Sequence, residues 1–453
     1  MLRTDAATAS ILGAVALLGG CNAEDSALED GGTLTLSLNA DVSTLVSATW
    51  TSDVTARTRL ELTRAGDPVL TTDWSPGGAA LDFPILGLVA GTEYTAKLVD
   101  EDGETLTTGT VTTGALPHDL SNSTTEGTSS WTGYLATAMY TAGEPYAVIL
   151  DPRGNIVWYW HRSGEPLSRV RVRRDGLGVW VMGMPATSDV PDPGWIAGVA
   201  WDGSLLADIV PVGNDGEGCT HDFYEMEDGS LIFLGNETRE LEGADYTGDS
   251  VFRWTPGGDE QAVWSFWDSI SPLPPADGLD PGDWTHGNAL RWSEDSGTLF
   301  VGARSISAIF EVDPSNWTTL HMLGGPFPDY QMPTGSPPYH QHQFDLRGNE
   351  LLVHDNRNSA DGTRLVSYTL DREAKTATQN WEYAPGAALF DSVFGDVTYL
   401  DDDRFLVTWS TSGYIEERTR DGDAPWTMTL DIGSILGYSQ LVPRLPLSTP
   451  AGG

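Results

Sequence analysis

Residues 219–235, CTHDFYEMEDGSLIFLG, carry a pattern that the chain repeats: a histidine opens the segment, an acidic turn with glycine follows, and an apolar run closes on a small residue. Residues 284–304, WTHGNALRWSEDSGTLFVGAR, and 339–356, YHQHQFDLRGNELLVHDN, follow the same plan. The segments DPRGNIVWYW (151–160), RRDGLGVWVMG (173–183) and LDDDRFLVTWS (400–410) keep the turn and the apolar strand without the histidine. Between them lie return strands such as VFRWTPGGDEQAVWSFW (251–267). Turn residues at such regular intervals between short apolar runs mark β-structure, and no long window has helical periodicity. A repeat of about 50 residues suits four-stranded blades, and about 330 residues divided by it predicts six, with seven as the alternative count. The expected fold is all-β, a six-bladed β-propeller preceded by a small β-sandwich.

That sandwich is expected over 33–115, where Leu34, Leu36 and Leu38 alternate with Thr and Ser and Trp50 ends a second strand-like run. LVAGTEYTAKLVD (88–100) resembles the fibronectin type III signature, with Leu88, Gly91 and Tyr94 as its tyrosine corner. Ahead of it, Arg3 precedes an apolar stretch too short to span a bilayer, running into LGGC at Cys21. This resembles a bacterial lipobox. Residues 1–20 are therefore expected to be a lipoprotein signal peptide, Cys21 a lipidated anchor, 21–32 a tether and 116–453 the propeller. The implied location is the cell envelope, lipid-anchored, in the periplasm or on the outer membrane. With Cys21 lipidated, Cys219 is expected to be a free, buried thiol.

The 453 residues carry 24 Lys and Arg against 65 Asp and Glu, a formal charge of −41, and only Lys97 and Lys375 are lysines. Such a surface repels nucleic acid and anionic membrane faces, so neither is an expected partner. An anionic substrate would need a local cluster of cationic and donor groups.

In a propeller the innermost strand of each blade lines the central channel. Histidines 221, 286 and 342 start three such strands and should meet around one mouth of the channel, with Arg304 and Asn356 closing two of the same hairpins. Imidazole, guanidinium and amide groups without an inward carboxylate cluster suit a tetrahedral oxyanion, whose oxygens a guanidinium fork matches. His118, His161, His321 and His354 share no such phase and are expected to be structural or exposed.

THGNAL with Arg304 downstream, CTHDFYEMEDGSLIFLG, QHQFDLRGNELLVHDN and the closing GYSQLVPRLPL resemble the bacterial arylsulfotransferase family, over about 131–447. The resemblance implies a PAPS-independent aryl-sulfate sulfotransferase on a six-bladed propeller. It would move a sulfuryl group from an aryl sulfate to a phenol through a covalent sulfohistidine. By that resemblance His342, which follows Gln341, is the nucleophile, in preference to His340; His286 and His221 are further active-site histidines; Asn288 and Arg304 hold the sulfuryl oxygens. No cofactor or metal is implied. Phe223, Tyr224, Trp284 and Phe394 are candidate aromatics for the phenols at the mouth. Two other readings stay open at this point. Three histidines could hold a metal with water as fourth ligand, making a metal-dependent hydrolase of sulfate or phosphate esters, with Asp222 and Asp345 as rival ligands. The chain could also be a non-catalytic binding propeller at the cell surface.

Overall fold

The computed structural model describes residues 26–27, 33–51, 55–65, 67–75, 81–141, 144–184, 194–209, 218–258, 260–270, 280–430, 435–446 and 448–450. Cys21 and the expected signal segment lie outside them. Of the expected tether, Ser26–Ala27 is described and pairs with the first sandwich strand, Thr33–Leu38.

Residues after the sandwich form a β-propeller. An eight-stranded sheet contains Ile435–Val442 at its middle, flanked by Tyr134–Tyr140 on one side and Leu167–Val172 on the other. The second junction is parallel and consists of one pair, Arg169 with Tyr438. Divided there, the sheet is two four-strand units. Four more follow, with innermost strands Cys219–Glu225, Gly287–Ser293, Phe344–Arg347 and Asp396–Tyr399. Neighbouring units touch through their innermost hairpins, and Arg404–Trp409 meets Ile435–Val442 to complete the circuit. Ile435–Val442, the last propeller strand in sequence, thus supplies the innermost position of the first unit. Thr124–Gly127 closes the outer edge of the last. Closure from both ends leaves few exposed sheet edges.

These strands do not alternate polar with apolar, because each is covered by a neighbouring unit on both faces, so they read as nearly continuous apolar runs: LIFLG, LFVGA and LLVHD are buried throughout. The acidic turns behave as their composition demands. At 227–230 Asp228 Oδ1 accepts from the Ser230 amide at 3.0 Å, and Gly229 takes φ +78°, which a side chain would strain.

The sandwich packs two sheets around Leu34, Val46, Trp50, Leu60, Leu62, Leu88 and Tyr94. The Tyr94 hydroxyl accepts from the Val89 amide at 2.8 Å, the bond a tyrosine corner makes. The sandwich is docked on the first propeller unit through Val42, Leu45 and Leu86 against Tyr134 and Val157. Thr44 Oγ1 donates to the Val157 carbonyl at 2.8 Å. Gly87 lies so close to the Tyr134 hydroxyl that a Cβ would sit 2.4 Å from it. Ser448–Pro450 then returns to pair with Leu70–Thr72 and adds an edge strand to one sheet of the sandwich.

Candidate active site

His221 lies within an irregularity of its strand and His286 just before one. The pairing register slips between Thr220 and Phe223 in one innermost strand, and between Gly287 and Ala289 in the next. Both histidines have left-handed backbones, φ +55° and +49°. A bulge re-aims a side chain that strict alternation would send elsewhere, and a non-glycine residue at positive φ costs about 1–3 kcal/mol. Here the result is two rings with centroids 4.8 Å apart. His342 stands in the same phase two residues before its strand. Its amide donates to the His354 carbonyl at 3.1 Å and its side chain is buried.

The protonation of His342 follows from its neighbour. Asn356 Nδ2 faces two carbonyls, of Asp391 at 3.0 Å and Phe394 at 2.8 Å, so that atom must be the amino group. Asn356 Oδ1 is then an acceptor, 2.9 Å from His342 Nδ1. The His342 proton sits on Nδ1, leaving a lone pair on Nε2. Burial holds the ring's pKa well below the ordinary histidine value, against the Asn356 bond, and His221, His286 and Arg304 push it in the same direction. His342 is a neutral imidazole with Nε2 unprotonated at neutral pH.

His221 is also neutral, its pKa brought down to about 3 by burial and by the charge of His286. Its Nδ1 is buried without a partner. His286 differs: Nδ1 bonds Asp283 Oδ2, three residues earlier. Burial disfavours the Asp283 charge, but the bond to His286 and the charges of His286, His221 and Arg304 outweigh it and keep the carboxyl below its usual range. Asp249 lies beneath the same turn, accepting from Thr285 Oγ1 at 2.7 Å and the Gly287 amide at 2.5 Å. Burial and the nearby Asp283 charge raise its pKa.

Arg304 follows Thr298–Ala303, and its amide donates to the His286 carbonyl at 3.0 Å. Its charge bears on His221, His340 and His342 alike, and no carboxylate pairs with it among the described residues. Asn288 is buried and donates through Nδ2 to the Gln341 carbonyl at 2.8 Å, bracing the backbone just before His342, while its Oδ1 has no partner. His340 stacks on Tyr339 with centroids 4.0 Å apart, nearer solvent than His342.

One layer deeper, the expectation of no inward carboxylates fails. Asp222, Asp345 and Asp396 all turn into the channel. Each is met by arginine: Arg169 grips Asp222 through two bonds of 2.8 and 3.0 Å and reaches Asp396 at 3.2 Å, and Arg291 pairs with Asp345 at 2.6 Å. Gln343 Nε2 and the Leu290 amide complete Asp222. The pairing spans separate units, such as 169 with 396, so no local motif announces it.

The structure brings one of the four expected mouth aromatics to the histidines and places the other three elsewhere. Phe223 is fully buried between units with Phe233 and Phe252. Trp284 is buried edge-on against Trp267. Phe223 fills the space between sheets, the position large apolar residues in innermost strands take by alternation, whereas Trp284 ends the turn at 281–283 ahead of its strand. Tyr224 stacks on Trp292 away from the histidines, with its hydroxyl receiving a bond from Arg174. Phe394 does approach the site: at φ +55° its carbonyl holds Asn356, and its ring meets Tyr438 edge-on at 5.2 Å. Sequence reasoning passed over Asp283, although its spacing in D-W-T-H is the signal, and it passed over Tyr339. Cys219 is a free, buried thiol that burial drives far above the usual pKa.

The family model described as Arylsulfotransferase (ASST) matches residues 121–424. No curated protein matches the chain. Among solved structures, a protein of unknown function from Bacteroides caccae matches with 13% identity over 68% of this chain and 98% of that one, TM-score 0.44. An auxiliary nutrient binding protein from Bacteroides ovatus matches with 12% identity, 88% and 87% coverage and TM-score 0.39. A virginiamycin B lyase from Staphylococcus aureus matches with 12% identity, 69% and 89% coverage and TM-score 0.39.

Proposed function

The chain belongs to the arylsulfotransferase family, and from that premise we propose that it works by a ping-pong mechanism through a sulfohistidine on His342. The family makes it a sulfotransferase with an aryl sulfate as donor and a phenol as acceptor. The observation that carries the finer reading is the Asn356 bond, which leaves His342 Nε2 free on a neutral ring.

In the first half-reaction the Nε2 lone pair forms a bond to sulfur, and the sulfur–oxygen bond to the aryl group breaks with its electron pair going to the phenolate. His286, its Nδ1 held by the Asp283 carboxylate, gives that oxygen a proton from Nε2. In the second half, His286 takes the proton of the acceptor phenol, the phenolate oxygen attacks sulfur, and the nitrogen–sulfur pair returns to His342. Asp283 stabilises the imidazolium and fixes which nitrogen faces the reactants. Arg304 carries the charge on the sulfuryl oxygens, helped by the second N–H of the Asn288 amide, whose first holds the Gln341 carbonyl. His221, held neutral, donates a hydrogen bond without adding a charge. No nucleotide, metal or other cofactor enters these steps.

A metal-dependent esterase is the weaker reading. Asp222 and Asp345, the rival ligands, are engaged by Arg169 and Arg291, and no group of three His, Cys, Asp or Glu able to hold a metal occurs among the described residues. Arg304 beside the histidines would also repel a cation. The six-blade count belongs to the proposal too and rests on dividing the eight-stranded sheet at the Arg169–Tyr438 pair. So do the fibronectin type III likeness of the sandwich and a cell-envelope location through lipidated Cys21.

The deciding experiment is intact-mass analysis after incubation with p-nitrophenyl sulfate alone. The protein should gain one sulfuryl group, located on His342 and discharged by added phenol. No adduct, or turnover that stops on chelation, would refute the mechanism.

A further inference from the structure

A cleft of about 530 Å³ opens beside His340, lined by Ile306, Pro326, Pro337, Pro338, Tyr339 and Arg357. Its walls continue directly from the chemistry. Ser305 and Ser307, which line it, follow Arg304, and Ser307 Oγ receives the His340 amide at 3.2 Å. Arg357 follows Asn356, the residue that orients His342. We propose that this cleft is the specificity subsite of the transferase, holding the uncharged aromatic extension of a multi-ring phenol against Tyr339 while the reacting hydroxyl reaches His342. The proposal rests on the sulfotransferase reading and names its substrate class.

Four observations lead there. The first is size, since a cavity in this range suits a ligand larger than one ring. The second is the presented aromatic face: Tyr339 is 48% exposed although its ring is backed by His340. The third is rigidity. The Tyr339 amide donates to Asp355 Oδ1 at 2.7 Å and its carbonyl accepts from the Arg357 amide at 2.9 Å. Arg364 ties Ser336 Oγ at 3.0 Å and the Pro337 carbonyl at 3.2 Å, and the Tyr368 hydroxyl donates to the Ser336 carbonyl at 2.6 Å. A wall fixed in this way costs little ordering when an aromatic ligand lies on it. The fourth is charge. Arg357 is paired with Asp361 at 3.5 Å, and Arg364 with Asp355 at 2.6 Å and Glu382 at 3.0 Å. The lining cations are matched within a chain of formal charge −41, so an anionic extension gains no free partner.

The test compares phenol, 2-naphthol and 6-hydroxy-2-naphthoate as acceptors with p-nitrophenyl sulfate as donor. Wild-type kcat/KM should favour 2-naphthol over phenol by about tenfold, with the naphthoate below 2-naphthol. Tyr339→Ala and Ser336→Trp, the first removing the stacking face and the second filling the cleft, should each collapse the ratio of 2-naphthol to phenol. Equal use of all three acceptors, or a ratio unchanged in both variants, overturns the proposal. A separate titration of 2-naphthol into His342→Asn measures the cleft without chemistry. Binding there that weakens in the His342→Asn/Tyr339→Ala double variant supports the subsite even if no sulfohistidine forms. Undetectable binding, with His342 of the wild type still taking up the sulfuryl group, sinks the subsite and leaves the mechanism standing.

Discussion

Two adjacent layers of the channel, built from the same innermost strands, are finished in opposite ways. In the deeper layer Arg169, Asp222, Asp396, Arg291 and Asp345 saturate one another, and Asp222 alone accepts from Arg169, Gln343 and the Leu290 and Phe223 amides. In the outer layer, among the described residues, His221 Nδ1 and Asn288 Oδ1 are buried without partners and Arg304 has no carboxylate. Buried polar groups are ordinarily satisfied, since an unpaired one costs about 1–3 kcal/mol. The difference teaches that the strands' convergence does not by itself make a site: one residue earlier or later decides between a sealed plug and an open set of reactive atoms.

Substitutions that exchange these characters test the contrast. The largest effect is expected at His342. His342→Asn should lower turnover by at least about 10⁴-fold, since a missing nucleophile is not replaced by its neighbours. Its urea midpoint should stay near that of the wild type, because the bond of its side chain, to Asn356, lies within one unit and does not hold the units together. Turnover within tenfold of wild type would return the nucleophile's role to His340.

In the plug the outcome should reverse. Asp222→Ala leaves the buried Arg169 guanidinium without its two-bond partner, and breaking such a pair costs about 3–5 kcal/mol. Denaturant unfolding should show that loss. Folded Asp222→Ala protein, assayed well below its melting range, should still take up a sulfuryl group on donor alone. A stable variant that cannot be sulfated would mean that the two layers are one machine.

The sequence made the outer layer readable and left the plug hidden. Histidines 221, 286 and 342 recur at one phase of a repeated strand and turn, so repetition supplies the third dimension for them. Arg169 and Asp396 recur in no common motif, and only ring closure brings them together. The aromatics failed for a related reason. Residues next to a site histidine, such as Phe223, alternate into the space between sheets, whereas Tyr339 lies in a loop where no periodicity indicates facing. The strand and turn pattern itself read correctly, because alternation, glycine turns and tryptophan-rich return strands all point to the same architecture.

Asp283 is intermediate: local in sequence, chemical in role. Asp283→Asn should depress kcat/KM by about 10²-fold for aryl sulfates with poorly acidic phenols, where proton donation to the leaving oxygen matters. With p-nitrophenyl sulfate, whose phenolate leaves unaided, the first half-reaction should change little. A merely structural carboxylate would lower both alike, and equal losses across donors would remove Asp283 from the proton path.

The smallest effect expected is in the acid stability of the outer layer. His221 has a native pKa of about 3, against an unfolded value near 6.5, so between those limits the unfolded chain binds a proton that the native one refuses. Its contribution to stability is complete above pH 6.5 and is lost progressively as the pH falls toward 3. Asp249 acts with the other sign, because burial and the charges of Asp283 raise its pKa and the native state takes up a proton before the unfolded state does. The wild-type slope therefore mixes opposed terms, with His286, Asp283 and Arg304 facing the same space. The informative quantity is the difference between wild type and His221→Gln in urea midpoint across pH 4–7. The variant should lose less stability on acidification, because it has removed the group that must be kept neutral. Parallel curves would mean that the His221 ring is protonated in the folded protein, and a charged ring there would make it a second cation for the sulfuryl oxygens.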